Sequence, residues 1–259
     1  MNGCPTVLLA AFVSLPHAAA AAPAESAPAK KPAATRPAHE HGKAHDSHDA
    51  HDATVHHRFD DVDHWVKLFD DPARDAWQKP EELVKALGLA PGDRVADIGA
   101  GTGYFERWLA RAVGLRGTVL AMDVETALVE HIRKRAEAEA TANVIPILGS
   151  YDNPRLPAGA VNLVLIVDTY HHIDDRLHYF ARLQEVLAGG GRVAIVDFQK
   201  RETPVGPPLE HKLARETVVE EMAQAGYKLD REIDILPYQY ALVFRPGPPA
   251  AAPSPSPAP

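Results

Sequence analysis

A glycine-rich segment in the middle of the chain constrains the fold most. Residues 94–109 read RVADIGAGTGYFERWL, a short apolar strand that carries Asp97 near its end, then three alternate glycines, then the start of a helix. A parallel strand that turns tightly into a helix at glycines is the nucleotide-binding unit of doubly wound sheets. The segment predicts an α/β nucleotide-binding fold and leaves open which nucleotide binds.

Apolar runs and helical patterns alternate around this segment. Strands are predicted at 94–98, 118–122, 144–148, 161–168, 192–198, 228–235 and 238–244, and helices at 104–113, 125–140, 174–187 and 213–225. The glycines 189–191 are predicted to end the third of these helices before the fifth strand begins. This alternation predicts an α/β fold, a doubly wound, mostly parallel seven-stranded sheet with helices on both faces. Only Leu236 and Pro237 separate the last two strands. We therefore expect these strands to form an antiparallel hairpin, or to be neighbours around an inserted edge strand.

Charge and cysteine content exclude some functions. The formal net charge of -8 argues against a nucleic-acid-binding surface, which would be basic. Cys4 is the only cysteine, so the sequence has neither a disulfide framework nor a cysteine metal cluster. We expect no nucleic-acid partner.

The amino-terminal residues resemble an export signal. Residues 6–15 are an apolar run of signal-peptide length, too short to span a membrane, and small residues suited to cleavage follow. Residues 1–22 are therefore predicted to be a signal peptide of a periplasmic or secreted protein, without stable membrane insertion after cleavage. No Lys or Arg precedes the run, so the alternative is a cytoplasmic protein with a misassigned start.

Low-complexity segments flank the predicted domain. Residues 23–57 are Ala/Pro-rich and then His-rich, which predicts a disordered linker, and residues 247–259 form a Pro-rich tail. The linker is either a loose divalent-metal arm or a soluble spacer, and we favour the spacer because low complexity defines no ligand geometry. The candidate weak metal ligands are His39, His41, His45, His48 and His51. The folded domain is predicted at 58–246, with a lid region at 58–90 and a core at 91–246.

The glycine spacing discriminates between nucleotides. A dinucleotide loop has the pattern G-x-G-x-x-G, and here Tyr104 occupies the third glycine position. The chain instead has G-x-G-x-G, with Gly99, Gly101 and Gly103. A triphosphate loop would need G-K-[ST], which does not follow.

The segment VADIGAGTG resembles the first motif, V-L-D-x-G-x-G-x-G, of the class I S-adenosylmethionine-dependent methyltransferases. The resemblance implies a Rossmann-like methyltransferase fold with an antiparallel last strand, the cofactor S-adenosyl-L-methionine, and methyl transfer to a small molecule. It also implies a cofactor role for residues of four segments. These residues are Asp97, Gly99, Ala100, Gly101, Gly103, Asp123, Val124, Asp152 and Asp168.

Three of these residues have specific implied roles. In the family, the acid at the position of Asp123 binds the ribose hydroxyls, and Val124 stands where a residue flanks the adenine. GSYDNPRLP resembles the family's D-x-x-x-L-P segment, in which the acid at Asp152 accepts a hydrogen bond from the adenine amino group. Asn162 stands where the family often has Asp, and we interpret it as the start of a strand.

The candidate catalytic residues follow two predicted strands. Tyr170, His171 and His172 come directly after the fourth strand, and His211 lies in the loop region after the fifth. Ligands bind at the carboxyl ends of strands in such sheets, and histidine is suited to proton transfer near neutral pH. The alternative for these residues is helix capping, packing or surface exposure. Arg74, Trp77 and Gln78 are lid candidates; for Trp77, core packing is the alternative.

Three functions compete at this point. The first is a small-molecule methyltransferase; the second is an NAD(P)-dependent oxidoreductase, which Tyr104 and the final strand pair disfavour. The third is a non-catalytic or metal-handling exported protein that keeps the methyltransferase fold, which export favours because S-adenosylmethionine is made in the cytosol. We expect the first, with no metal site in the folded domain.

Overall fold

The computed structural model describes residues 61–247. The predicted signal peptide, the linker with its five candidate histidine ligands, and residues 248–259 of the tail lie outside the described residues. Within residues 61–247, no helix has both the length and the apolar character needed to cross a bilayer.

The described residues form seven α-helices and seven strands. The helices are α1 (Val62–Phe69), α2 (Asp75–Gln78), α3 (Pro80–Leu87), α4 (Glu106–Val113), α5 (Thr126–Ala138), α6 (Arg176–Leu183) and α7 (Arg215–Gln224). The strands are β1 (Arg94–Ile98), β2 (Thr118–Asp123), β3 (Val144–Leu148), β4 (Val161–Val167), β5 (Leu187–Phe198), β6 (Tyr227–Glu232) and β7 (Gln239–Pro246). Short 3-10 turns occur at Pro72–Arg74, Tyr170–His172, Gln184–Val186 and Leu209–His211.

The seven strands form one sheet in the order β3-β2-β1-β4-β5-β7-β6. Strands β1 to β5 pair in parallel, and β7 pairs antiparallel with both β5 and β6. This arrangement confirms the predicted doubly wound, mostly parallel sheet with an antiparallel last strand. Of the two alternatives for the last pair, the antiparallel hairpin is confirmed, and β7 lies between β5 and β6.

Two apolar clusters cover the two faces of the sheet. One includes Leu109 of α4 and Ile132 of α5, and the other includes Phe180 of α6 and Met222 of α7. Strand β4 is apolar almost throughout because its alternate side chains are buried on both faces. The helices on each face thus cover the sheet and leave its edges for ligand binding.

The glycines 189–191 lie inside β5, whereas we predicted them to end a helix. Helix α6 ends at Leu183, and the pairing of β4 with β5 shifts between Val161 and Leu163. Gly190 has a φ of 79°, a left-handed conformation that favours glycine. The glycines therefore form an irregularity in the strand pairing, which helical periodicity could not reveal.

The carboxyl ends of β1, β2, β4 and β5 meet at one edge of the sheet, where the antiparallel β7 begins. In open α/β sheets, ligands bind at this edge.

Candidate functional site

A carboxylate at the end of β2 joins that strand to the glycine loop. Asp123 Oδ2 accepts a hydrogen bond from the Gly101 amide at 2.9 Å, and its Oδ1 accepts from the Glu125 amide at 3.0 Å. Burial raises the pKa of Asp123, although these backbone N–H groups favour the ionised form. Each carboxylate oxygen keeps a lone pair, so Asp123 can accept hydrogen bonds from two vicinal hydroxyls.

The glycines of the loop stand where other backbone and side-chain groups come close. A Cβ atom on Gly99 would lie 2.8 Å from the Cβ of Thr169, at the end of β4, and Gly99 has a φ of 76°. Gly101 has a φ of 59°, and a Cβ there would reach within 3.7 Å of the Phe69 ring. Gly99 is therefore required both for its conformation and for the space that Thr169 fills, whereas Gly101 is favoured by its left-handed conformation alone.

The segment before β1 is anchored to the glycine loop. Asp70 Oδ1 accepts a hydrogen bond from the Thr102 hydroxyl at 2.8 Å, and its Oδ2 lies 2.7 Å from the Arg135 guanidinium on α5. Phe69 lies over Gly101 in the same segment. The region predicted to be a lid thus contacts the glycine loop through the Phe69 ring and through the Asp70 carboxylate, which has two partners.

Arg74 connects the lid region to the strand ends. Its Nε donates to Gln78 Oε1 at 3.0 Å, and its guanidinium lies 4.1 Å from the centre of the Tyr104 ring. A second guanidinium nitrogen lies 3.8 Å from Asp168 Oδ2. Tyr104, which replaces the third glycine of a dinucleotide loop, therefore provides the aromatic face on which this cation lies.

Two buried amides continue this connection across the sheet. Gln78 Nε2 donates to Gln239 Oε1 at 2.7 Å, and Gln239 Nε2 donates to Asp168 Oδ1 at 2.6 Å. Asp168 has a φ of 52°, unusual for a non-glycine residue. Burial and the neighbouring Asp197 raise the pKa of Asp168 to about 7, although Arg74 opposes the shift.

A histidine–aspartate pair lies beside Asp168. His171 Nδ1 is 2.8 Å from Asp197 Oδ2 and 3.1 Å from its Oδ1, and the Asp197 side chain is 0% exposed. Burial alone would lower the pKa of His171, but the carboxylates of Asp197 and Asp168 outweigh it and raise this pKa. The rings of His171 and His172 are 4.1 Å apart. Of the four predicted catalytic residues, His171 has the setting of a proton acceptor.

Two carboxyls are buried beneath the glycine loop. Burial, and next the Asp123 charge, raise the pKa of Asp97 to about 7, while Glu106 and Arg74 oppose this shift. Burial and the Asp97 carboxyl raise the pKa of Glu106 well above its usual range. The two carboxyls share a hydrogen bond, which lowers the pKa of Asp97 and raises that of Glu106. Because two like charges in contact disfavour each other's ionisation, the buried pair retains a proton.

Aromatic side chains pack together at the carboxyl end of β5. The Trp77 ring lies 5.6 Å from that of Phe198 and 6.4 Å from that of Tyr238. The buried Lys212 Nζ donates to the Arg201 carbonyl at 2.9 Å and lies 5.5 Å from the Phe198 ring. The lid candidate Trp77 therefore packs against the ends of β5 and β7.

The other predicted site residues have less specific surroundings. Asp152 is exposed in the turn after β3 and accepts a hydrogen bond from the Ser150 hydroxyl at 2.8 Å. Val124 packs at the margin of the α6–α7 cluster, and His211 is half-buried in its 3-10 turn. The structure leaves the implied roles of these three residues as predictions.

Tyr170 requires a correction. Its side chain is completely buried in the α6–α7 cluster, and its hydroxyl donates to Glu221 of α7 at 2.7 Å. Arg176 of α6 binds the same carboxylate at 2.8 Å. A hydroxyl in this interior ion-pair network cannot contact a substrate, so Tyr170 joins α6 and α7 and is not a catalytic residue.

The fold has close structural relatives. The structure of a SAM-dependent methyltransferase from Aquifex aeolicus superposes with a TM-score of 0.68 and 27% sequence identity, covering 71% of this chain and 97% of that one. Residues 95–191 match a family described as a methyltransferase domain.

The fold is that of the class I methyltransferases. The chain is 28% identical over 144 residues to aklanonic acid methyltransferase DauC of Streptomyces sp. (strain C5), which covers 55% of this chain and 66% of the relative. It is 28% identical over 127 residues to the ubiquinone/menaquinone biosynthesis C-methyltransferase UbiE of Vibrio vulnificus (strain YJ016), with 49% and 48% covered. The chain thus spans about half to two thirds of these curated relatives.

Sequence reasoning missed several residues of the methyltransferase domain's crevice. Asp197 ends β5 much as Asp97 ends β1, so an acid at the end of a buried strand was a usable signal. Gln239 begins β7 and has no comparable motif. Within the described part of the chain, no group of three or more His, Cys, Asp or Glu side chains has an arrangement that could hold a metal.

Proposed function

We propose that this chain is an S-adenosylmethionine-dependent methyltransferase that transfers the methyl group to a small-molecule acceptor. The observation that carries the proposal is the hydrogen bond from the Gly101 amide to Asp123, which joins the glycine loop to the acid that ends β2. This arrangement presents a carboxylate to a ribose beside a loop of glycines, without the third glycine that a dinucleotide requires.

The residues at the crevice fit the chemical groups of this cofactor. Gly99 and Gly101 adopt left-handed backbone conformations that turn the loop beside Asp123 at the end of β2. The buried acids Asp97 and Glu106 suit a ligand with an ammonium group. When bound, S-adenosylmethionine supplies a methyl group already activated by its positively charged sulfur.

The remaining task of the chain is to position the reactants. Lid residues Phe69 and Asp70 contact the glycine loop and so close the crevice on one side. Arg74, lying between Tyr104 and Asp168, holds the lid to the ends of the strands. Holding two reactants in line and excluding water accounts for much of the acceleration available to a transfer that needs no further activation.

Two further observations support a small-molecule acceptor. The formal net charge of -8 disfavours a nucleic acid. Two relatives have names that refer to small molecules, aklanonic acid and ubiquinone or menaquinone.

The direct test is a calorimetric titration of the full-length chain with S-adenosylmethionine. We expect saturable binding with one site, and at least about tenfold weaker binding for Asp123→Ala, since a hydrogen bond to a charged group contributes about 1.5–3 kcal/mol. Asp234→Ala is the matched control because Asp234 is exposed in the loop between β6 and β7.

Thermal unfolding of each variant shows whether a loss of binding reflects a loss of fold. Because Asp123 also binds the Gly101 amide, Asp123→Asn serves as a second variant that keeps an acceptor at this position. A wild-type chain that binds no S-adenosylmethionine, or folded Asp123 variants that bind it as well as Asp234→Ala does, would contradict the proposal.

A further inference from the structure

Asp97 and Glu106 bring two acids together beneath the glycine loop. Asp97 lies near the end of β1 and is 3% exposed, and Glu106 lies in the first turn of α4 and is 4% exposed. A Cβ atom on Gly103 would lie 3.3 Å from Glu106 Oε2, so this carboxyl reaches back under the loop. The pair therefore adjoins the loop that we expect to hold the cofactor.

The hydrogen bond between the two carboxyls requires a proton. An ionised carboxylate only accepts hydrogen bonds, so two carboxyls share one only when one of them is protonated. Burial raises the pKa of both acids, and the charge of Asp97 raises the pKa of Glu106 further. The free chain therefore holds a proton between these two residues near neutral pH.

The cations near the pair are bound to other groups. Arg135 of α5 binds Asp70 at 2.7 Å, and Arg74 lies over the Tyr104 ring. Among residues 61–247, neither acid of the pair forms an ion pair with a lysine or an arginine. The two arginines favour ionisation of the pair from a distance, and Asp123 of β2 opposes it. A cation in contact with the pair can therefore come from a ligand.

We propose that Glu106 links cofactor binding to proton release, because the proton that it shares with Asp97 leaves to solvent when the ammonium group of S-adenosylmethionine binds beside the pair. Glu106 is a positioning residue, which acts on the cofactor through Asp97. This inference rests on the proposed function and adds a proton balance to it.

The charge of the site is the same before and after binding. In the free chain, the shared proton neutralises one of the two carboxyls. In the complex, both carboxyls are ionised and the ammonium group neutralises one of them, while the displaced proton passes to the buffer. No covalent bond between heavy atoms changes. By linkage, the association constant rises about tenfold per pH unit where one proton is released.

The experiment is a calorimetric titration of the full-length chain with S-adenosylhomocysteine, which has the ammonium group and cannot transfer a methyl group. It is carried out at about pH 6.5, where the free ligand keeps its ammonium proton, in phosphate and in imidazole buffer. These buffers differ in their heat of protonation, so the difference between the two observed heats gives the number of protons released. We expect between about one half and one proton per bound ligand.

Glu106→Gln separates the proton linkage from a structural role. The amide keeps the volume of the side chain and can donate to Asp97, which is then ionised before the ligand arrives. Proton release should fall to nearly zero. At about pH 6 this variant should bind the ligand up to about tenfold more tightly than wild type, since no proton has to be displaced. Glu81→Gln, at an exposed acid in the first turn of α3, is the matched control and should behave as wild type.

A comparison of ligands locates the cation without any substitution. 5′-Methylthioadenosine has the adenosine and the sulfur but lacks the ammonium group, so its binding should release no proton. S-adenosylmethionine and S-adenosylhomocysteine share the ammonium group and should release equal numbers of protons, although only the first has a positively charged sulfur.

The possible results separate the two proposals. A wild-type chain that binds neither S-adenosylmethionine nor S-adenosylhomocysteine overturns the proposed function, and the inference with it. Binding of S-adenosylhomocysteine without proton release overturns the inference alone, and so does equal proton release with 5′-methylthioadenosine. Proton release that is unchanged in folded Glu106→Gln, or weaker binding by this variant at pH 6, also overturns the inference.

Discussion

A Cβ atom on Gly99 would lie 2.8 Å from the Cβ of Thr169, so the first residue of the glycine loop and the first turn after β4 occupy adjoining space. Thr169 is held in place, because its hydroxyl donates to the Val167 carbonyl at 2.9 Å. The glycine loop is thus shaped by the neighbouring strand as well as by the cofactor that we propose.

This contact predicts a large effect of Gly99→Ala. The added methyl group meets Thr169, and the left-handed backbone is unfavourable for alanine, so we expect a loss of about 2–4 kcal/mol of unfolding free energy. Gly159→Ala is the matched control, because Gly159 has a φ of 63° but nothing within 4 Å of the Cβ position. Urea unfolding measures both variants. Similar losses of unfolding free energy in Gly99→Ala and Gly159→Ala would show that the contact with Thr169 is unimportant.

The Asp70 contacts predict that one substitution loosens the segment before β1. Asp70→Ala removes the acceptor for Thr102 and Arg135, and each of these two hydrogen bonds contributes about 1 kcal/mol. Local opening should then be at least about tenfold more frequent. Trypsin cleavage after the exposed Lys67 of α1 reports this opening. Asp63→Ala, on the same helix as Lys67, should be cleaved by trypsin at nearly the wild-type rate. Equal cleavage rates for Asp70→Ala and Asp63→Ala would contradict the account.

The buried amides predict a coupled pair of substitutions. Gln78→Leu leaves Gln239 Oε1 and Arg74 Nε without their partner, and Gln239→Leu leaves Gln78 and Asp168 without theirs. Each should cost about 1–3 kcal/mol of unfolding free energy. The double variant should cost less than the sum by at least about 0.5 kcal/mol. Urea unfolding of all four proteins measures this coupling, and simple additivity would contradict it.

Asp97 predicts a pH dependence of stability. Burial raises its pKa to about 7, so between about pH 4 and 7 the folded chain keeps a proton that the unfolded chain releases. The stabilisation is complete at low pH and is lost as the pH rises through 7. The side chain at position 97 is uncharged at every pH in Asp97→Asn, so this variant does not lose stability in this way. Wild-type unfolding free energy should therefore fall relative to that of Asp97→Asn between about pH 5 and 8; a constant difference would exclude the shift.

The sheet could be predicted because its signals are local. Buried parallel strands such as β4 are continuous apolar runs, and the gap at residues 233–238 is too short for a crossover helix between β6 and β7. The strand irregularity at Gly190 depends on pairing with β4, which no local pattern describes.

The candidate site likewise contains residues that local motifs predict and residues that only the fold brings together. The glycine loop and Asp123 belong to short motifs, so they could be predicted. The contact from Gln78 to Gln239 joins residues 161 positions apart, and the pairing of His171 with Asp197 depends on neighbouring strands. Tyr170 follows β4 just as His171 and His172 do, so its position alone suggested a catalytic role. The 3-10 turn nevertheless buries its ring among the helices.

The most direct measurement is a crystal structure of the full-length chain with S-adenosylhomocysteine. The account predicts that both ribose hydroxyls lie within hydrogen-bond distance of Asp123 and that the amino-acid end lies against residues 99–103, under Phe69. Ligand density away from β1 and β2, or a crevice that stays empty at saturating ligand, would contradict it.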